Sequence, residues 1–154
     1  VSVRHPVPLT GFIQVAVVVE DIEAALDAWC ELLDLPRPEV RETGPAPNPN
    51  ETYRGETAAY GLKLAVLDCP ERGFVVELHE PDENPSTFRE FLDRHGNGVH
   101  HLGFQVGEAR DAVVGELEAT GHALRTVGVY DDGSWTIVDT EDVLGVNLNI
   151  KPHA

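Results

Sequence analysis

Apolar residues in this chain recur in two rhythms. Short β-branched runs whose side chains alternate between faces predict strands, and apolar residues at three- and four-residue spacing predict helices. Residues 11–19, GFIQVAVVV, read as a strand. A helix follows from about Asp21 to Leu35, capped by Asp21, with Ile22, Ala25, Leu26, Trp29, Leu32 and Leu33 as its apolar stripe. Pro36 and Pro38 stop it. Residues 40–52, VRETGPAPNPNET, predict a long loop that serves as a cover over a site. Strands are expected at about 53–58, 62–68 and 73–79. The segment PSTFREFLDRHG predicts a short helix, in which Thr87 and Glu90 have capping-box spacing and Gly96 marks the stop.

The second half repeats this order. GVHHLGFQV at 98–106 predicts a strand, EARDAVVGELEAT at 108–120 a helix ending at Gly121, and strands follow at 123–130, 134–139 and 145–151. Asp132-Gly133 signals a hairpin, so the DDG run at 131–133 reads as a turn. Sliding FIQVAVVVEDIEAAL onto VHHLGFQVGEARDAV at an offset of 87 residues sets Gln14 on His101. Each half has one helix and a small sheet, too little to close a core alone. The expected architecture is α+β. Two tandem βαβββ modules form one curved, mainly antiparallel eight-stranded sheet around a cleft, with helices outside. Residues 1–154 then make a single domain, with module one at about 11–80, a linker helix at about 85–95 and module two at about 98–152.

Alternation separates the faces of four strands. Ile13, Val15, Val17 and Val19 oppose Gln14, Ala16 and Val18, and Phe74, Val76 and Leu78 oppose Val75, Glu77 and His79. His100, Leu102, Phe104 and Val106 oppose His101, Gly103 and Gln105, and Val146, Leu148 and Ile150 oppose Asn147, Asn149 and Lys151. The apolar faces should meet the helices. The other face gathers Gln14, Glu77, His79, His101, Gln105, Asn147 and Asn149. A ligand cleft reads this way, and so does a sheet face turned to plain solvent. His100 is assigned to the core or a strand end. His5, His95, His122 and His153 stand at termini or element ends and read as solvated. Tyr53, Arg54, Tyr60, Tyr130 and Trp135 are candidate pocket-lining residues.

Charge narrows the classes. With 11 basic and 27 acidic residues the formal charge is −16, which repels phosphate backbones and anionic lipid. Nucleic-acid and membrane roles are therefore not expected, and no run approaches the roughly 20 apolar residues of a membrane span. The first residues, VSVRHPVPLT, lack a signal-peptide core. Cys30 and Cys69 have no metal-type spacing and read as buried reduced thiols. A cytoplasmic protein is expected.

The doubled βαβββ order, the segment VVELHEP and the longer PSTFREFLDRHGNGVHHLGFQV together resemble the vicinal oxygen chelate superfamily. That group includes glyoxalase I, methylmalonyl-CoA epimerase, extradiol dioxygenases and bleomycin-resistance proteins, and the epimerase-like branch is the most similar. The resemblance implies a divalent metal (Zn, Ni, Co, Mn or Fe) held by inward residues of the first, fourth, fifth and eighth strands. The matching positions are Gln14, Glu77, His101 and Asn149, with Gln14 where the family often has His and Asn149 where it usually has Glu. The implied function is a glyoxalase- or epimerase-like isomerase or lyase acting on a small carbonyl substrate. Glu77, His101 and His79 are its catalytic candidates, and the chain is expected to homodimerise. Two alternatives share the cleft. One is a metal-free drug- or metabolite-binding protein of the bleomycin-resistance type, suited to the −16 charge. The other is a metal-independent biosynthetic enzyme using Glu77 and His79 as acid and base.

Overall fold

A computed structural model describes residues 7–130 and 133–153. Side chains of Tyr130 and of the predicted Asp131–Gly133 turn lie outside the described set, as does His5. The elements run β1 (Phe12–Val18), α1 (Ile22–Leu33), β2 (Arg41–Thr43), β3 (Thr52–Tyr53), β4 (Glu56–Thr57), β5 (Leu62–Cys69) and β6 (Phe74–Pro81). After α2 (Thr87–His95) come β7 (Gly98–Gln105), α3 (Arg110–Ala119), β8 (Leu124–Tyr130), β9 (Gly133–Val138), α4 (Glu141–Leu144) and β10 (Asn147–Lys151).

Eight strands form one mainly antiparallel sheet in the order β2-β5-β6-β1-β7-β10-β9-β8. Among the described residues the β1–β6 and β10–β7 pairings are parallel and the rest antiparallel. The halves meet along β1–β7, where Gln14 pairs with Gly103 and Ala16 with His101. Under the 87-residue offset these two pairs are images of each other, so a pseudo-twofold axis passes between them.

Alternation explains the core. Val17, Val19, Val76 and Leu78 pack on Ile22 and Leu26 of α1. Leu102, Phe104, Leu148 and Ile150 pack on Val113 and Val114 of α3. These two helices cover the outer face. The linker helix α2 closes one end of the sheet, where Phe88, Phe91 and Leu92 meet Val18, Tyr60 and Leu62. Asp21 caps α1 as expected, its carboxylate accepting the Ala24 N–H at 3.1 Å.

Local expectations need correction at four places. Residues 40–52 are not wholly loop, because Arg41–Thr43 pairs antiparallel with β5 as an edge strand. The strand expected at 53–58 is a separate hairpin, turning at Arg54 and Gly55, both with positive φ. The cap of α2 is Ser86, which accepts the Arg89 N–H at 3.0 Å. The Thr87 hydroxyl is taken by buried partners and cannot cap. Cys30 and Cys69 are free but half-buried rather than buried, because each stands near an element end.

Candidate active site

The inward faces of β1, β6, β7 and β10 line a cleft of about 380 Å³, within the range of small-molecule sites. Gln14, Glu77, His79, His101, Asn149 and Lys151 all contribute to its wall, closed by Phe88 and Trp135 and edged by Arg41–Thr43 of β2. The five site candidates proposed from alternation and resemblance thus stand together. Gln14, His79, His101 and Asn149 are buried, whereas the Glu77 side chain is 23% exposed.

A bulge in β7 shapes this wall. Ala16 pairs with His101 but Val17 pairs with Val99, so His100 is the extra residue. Strict alternation would turn His100 outward with Leu102. Instead its ring packs 4.8 Å from Phe88 and 5.4 Å from Phe91, on the α2 side of the sheet. Both histidines are buried, and their Nδ1 atoms lie 2.9 Å apart. His100 Nε2 lies 3.0 Å from the Thr87 hydroxyl, which also accepts from Arg125 Nη1 at 3.4 Å. Arg125 is itself buried against Asp139 and Glu141.

Gly103 is a steric requirement. Gln14 lies flat over it, and a Cβ there would meet Gln14 Oε1 at 2.3 Å. A directed line of bonds then orients the amides. The Thr136 backbone N–H, which can only donate, reaches Asn149 Oδ1 at 3.0 Å. Asn149 Nδ2 therefore donates to Gln14 Oε1, at 3.2 Å. That leaves the Gln14 amide nitrogen as the end of the line.

Glu77 Oε2 is 3.0 Å from His79 Nε2. Burial pushes the Glu77 carboxyl up, but the His79 hydrogen bond and the positive potential of His79 and Lys151 outweigh it and bring it down to about 2. Burial is the main cause holding His101 well below the ordinary histidine value, reinforced by His100 and His79. Burial also lowers His100, with His79 and Arg125 adding to it and a Thr87 backbone group alone opposing. Lys151, which donates to the Ser134 carbonyl at 3.1 Å, is lowered by burial and partly restored by Glu77. Lys151 was visible on the polar face by alternation, yet a lone lysine near the chain end carries no motif.

Arranged this way, Gln14, Glu77, His101 and Asn149 do not fit a divalent cation. Asn149 turns its oxygen to a backbone N–H and its NH₂ toward Gln14 Oε1, so an ion at that oxygen would sit beside a donor. Amide oxygens are weak ligands in any case, and Glu77 alone brings negative charge to the set. Among the described residues no group of three or more His, Cys, Asp or Glu is placed to hold a metal.

Other predicted lining residues serve elsewhere. Tyr60 is buried, with its hydroxyl 2.7 Å from Thr126 Oγ1 and accepting from Trp135 Nε1 at 3.1 Å. Tyr53 and Arg54 both hold Glu90. A second hollow of about 440 Å³ lies along β2, β5 and the end of β6. Two of its carboxylates are structural: Glu80 accepts the first N–H of α1, and Asp82 accepts the Gly61 N–H.

With this geometry in view, residues 13–138 match the model of the glyoxalase/bleomycin resistance protein/dioxygenase superfamily. The chain belongs to that superfamily. No curated protein matches it. Among solved structures, methylmalonyl-CoA epimerase from Mycobacterium tuberculosis is similar at 21% identity, covering 98% of this chain and 95% of its own, with a TM-score of 0.61. A Streptomyces coelicolor methylmalonyl-CoA epimerase variant in complex with 2-nitronate-propionyl-CoA is 20% identical over 96% of each chain, with a TM-score of 0.59. A hypothetical protein from Bacillus halodurans is 18% identical over 91% of each, with a TM-score of 0.60. At such identities the likeness concerns the fold, and the superfamily's curled sheet with outer helices is the one described above.

Proposed function

We propose that this chain is an isomerase or lyase that moves a proton next to the carbonyl of a small substrate. One observation carries the reading: an ionised carboxylate, Glu77, stands in the cleft among N–H-bearing groups of Gln14, His101 and Lys151. In the step envisaged, the C–H bond beside the carbonyl breaks and its proton passes to Glu77. The electron pair stays on the substrate as an enolate, whose oxygen is stabilised by the N–H groups. His79 steadies the carboxylate through Oε2. A carboxyl held near 2 is ionised at any working pH but weakly basic, so its proton affinity must rise once substrate engages Lys151 and displaces water. Superfamily membership and the fold shared with methylmalonyl-CoA epimerases support the reading. No step runs through a metal.

A drug-binding role of the bleomycin-resistance type draws on the weakened ligand set, the −16 charge and the same superfamily match, but the donors in the cleft suit an anionic oxygen better than a cation. The decisive experiment incubates the protein in heavy water with methylmalonyl-CoA, then with other 2-substituted acyl thioesters and 2-oxo acids. Mass spectrometry should show the hydrogen beside the carbonyl replaced by deuterium with at least one of them. Silence across the panel removes the proposal. A homodimer paired through exposed sheet edges is part of this reading, and light scattering tests it.

A further inference from the structure

We propose that a buried line of hydrogen bonds, Arg125 to Thr87 to His100 to His101, fixes the proton of His101 on Nε2. This residue is then a hydrogen-bond donor to the cleft rather than a lone-pair ligand or base.

Proton counting supports this polarity. Two neutral imidazoles whose Nδ1 atoms lie 2.9 Å apart share one hydrogen between them. The two tautomers are therefore coupled: whichever ring donates Nδ1–H leaves the other protonated on Nε2. What happens at the far side of His100 sets the direction. The guanidinium of Arg125 can only donate, so Thr87 Oγ1 accepts from it. Thr87 is fully buried, so an unused hydroxyl hydrogen there would carry its full desolvation penalty. The acceptor within reach is His100 Nε2, at 3.0 Å. The Thr87 carbonyl begins the α2 ladder, and among the described residues the hydroxyl is the Thr87 atom in hydrogen-bond geometry with this ring. So Thr87 donates to His100 Nε2, His100 carries its proton on Nδ1 and donates to His101 Nδ1, and His101 is left with Nε2–H.

That Nε2 atom is buried and without a hydrogen-bond partner among the described residues, on the wall of the cleft. A buried N–H lacking an acceptor marks a place where a bound acceptor would recover the lost bond. The Thr136–Asn149–Gln14 line has the same polarity, starting from an obligate donor and ending on an amide N–H. Two independent lines thus turn donors toward one cleft. Thr87 and Arg125 are positioning residues, since they act only through His100.

The tautomer itself does not depend on the proposed function; its catalytic consequence does. The test is ¹⁵N–¹H correlation of the imidazole nitrogens in the ligand-free full chain. His101 is expected to show a protonated Nε2 and an unprotonated Nδ1, with His100 the reverse. The opposite assignment overturns the inference. In Thr87→Val, which keeps the shape and removes the hydroxyl, the His101 Nε2–H population should fall to a mixture, and Thr87→Ser should restore it. Unchanged tautomers in Thr87→Val overturn the role of Thr87. Where deuterium exchange is measurable, Thr87→Val should lower kcat roughly ten-fold with KM little changed, as expected for a weakened transition-state donor. Correct tautomers in a protein that exchanges no substrate would remove the function and leave this inference standing.

Discussion

On β6, Val75, Glu77 and His79 take the inward positions; on β10 the equivalent positions hold Asn147, Asn149 and Lys151. The register makes them equivalent. Glu77 pairs with Ala16 and His79 with Val18, while Asn149 pairs with Gly103 and Lys151 with Gln105. The same backbone plan thus brings a carboxylate and an imidazole from one half, and an amide and an ammonium from the other. A repeated fold sets where side chains point, and each half remains free to choose what they are. The halves also differ in how settled their polar groups are. Asn149 is locked between Thr136 and Gln14, whereas Glu77, among the described residues, hydrogen-bonds His79 alone through one oxygen and stays partly exposed.

Erasing this asymmetry should have the largest effect. Glu77→Gln makes both halves amide-bearing and removes the proposed base, so deuterium exchange should fall roughly 10²–10⁴-fold. Exchange at the wild-type rate would show that the base is elsewhere. The asymmetry should also appear in stability against pH. The Glu77 carboxyl is depressed from 4.5 to about 2, so its ionised form stabilises the fold. That contribution is fully present above 4.5 and is lost as the pH falls toward 2, amounting to about 3 kcal/mol at most. Urea unfolding of the wild type and Glu77→Gln should show their gap narrowing between pH 5 and 3. A constant gap would mean that His79 does not hold the carboxylate.

A third change tests the axis itself. Gly103→Ala copies Ala16 into the second half, but its Cβ would strike Gln14 Oε1 at 2.3 Å, so stability should drop by about 1–3 kcal/mol. A neutral result in urea would show that Gln14 swings away freely. The smallest effect is expected from Asn149→Asp, which places a carboxylate against Gln14 Oε1 and removes one hydrogen bond. The expected loss is about 1–2 kcal/mol. Because Gln14 is then free to rotate, calorimetry should find Zn²⁺ affinity raised at least ten-fold over the wild type. Unaltered affinity would count against amide orientation as the reason the wild-type set suits a cation poorly.

Period-two alternation and the 87-residue repeat were enough to foresee the doubled sheet and the inward placement of Gln14, Glu77, His79, His101 and Asn149. Both are local properties of a strand, written in the order of residues. Gln105 at the end of β7, by contrast, is exposed and Asn147 is buried on the His100 carbonyl, both outside the cleft wall. The edge strand at Arg41–Thr43 was hidden among prolines, because its stability comes from pairing with β5 rather than from its own composition. Thr87 carried a capping signal that Ser86 fulfils, since burial drew the Thr87 hydroxyl to Arg125 and His100.

Residue order alone thus accounts for which side chains reach the concave face, because a strand's pleat needs no partner to set its alternation. It could not reveal the bulge that brings His100 beside His101, since a bulge exists only between two strands. Nor could it reveal which way each amide and imidazole is turned. Hydrogen-bond direction is inherited from obligate donors, Arg125 lying 38 residues from Thr87 and the Thr136 N–H 13 residues from Asn149, which only strand pairing and helix docking bring into contact.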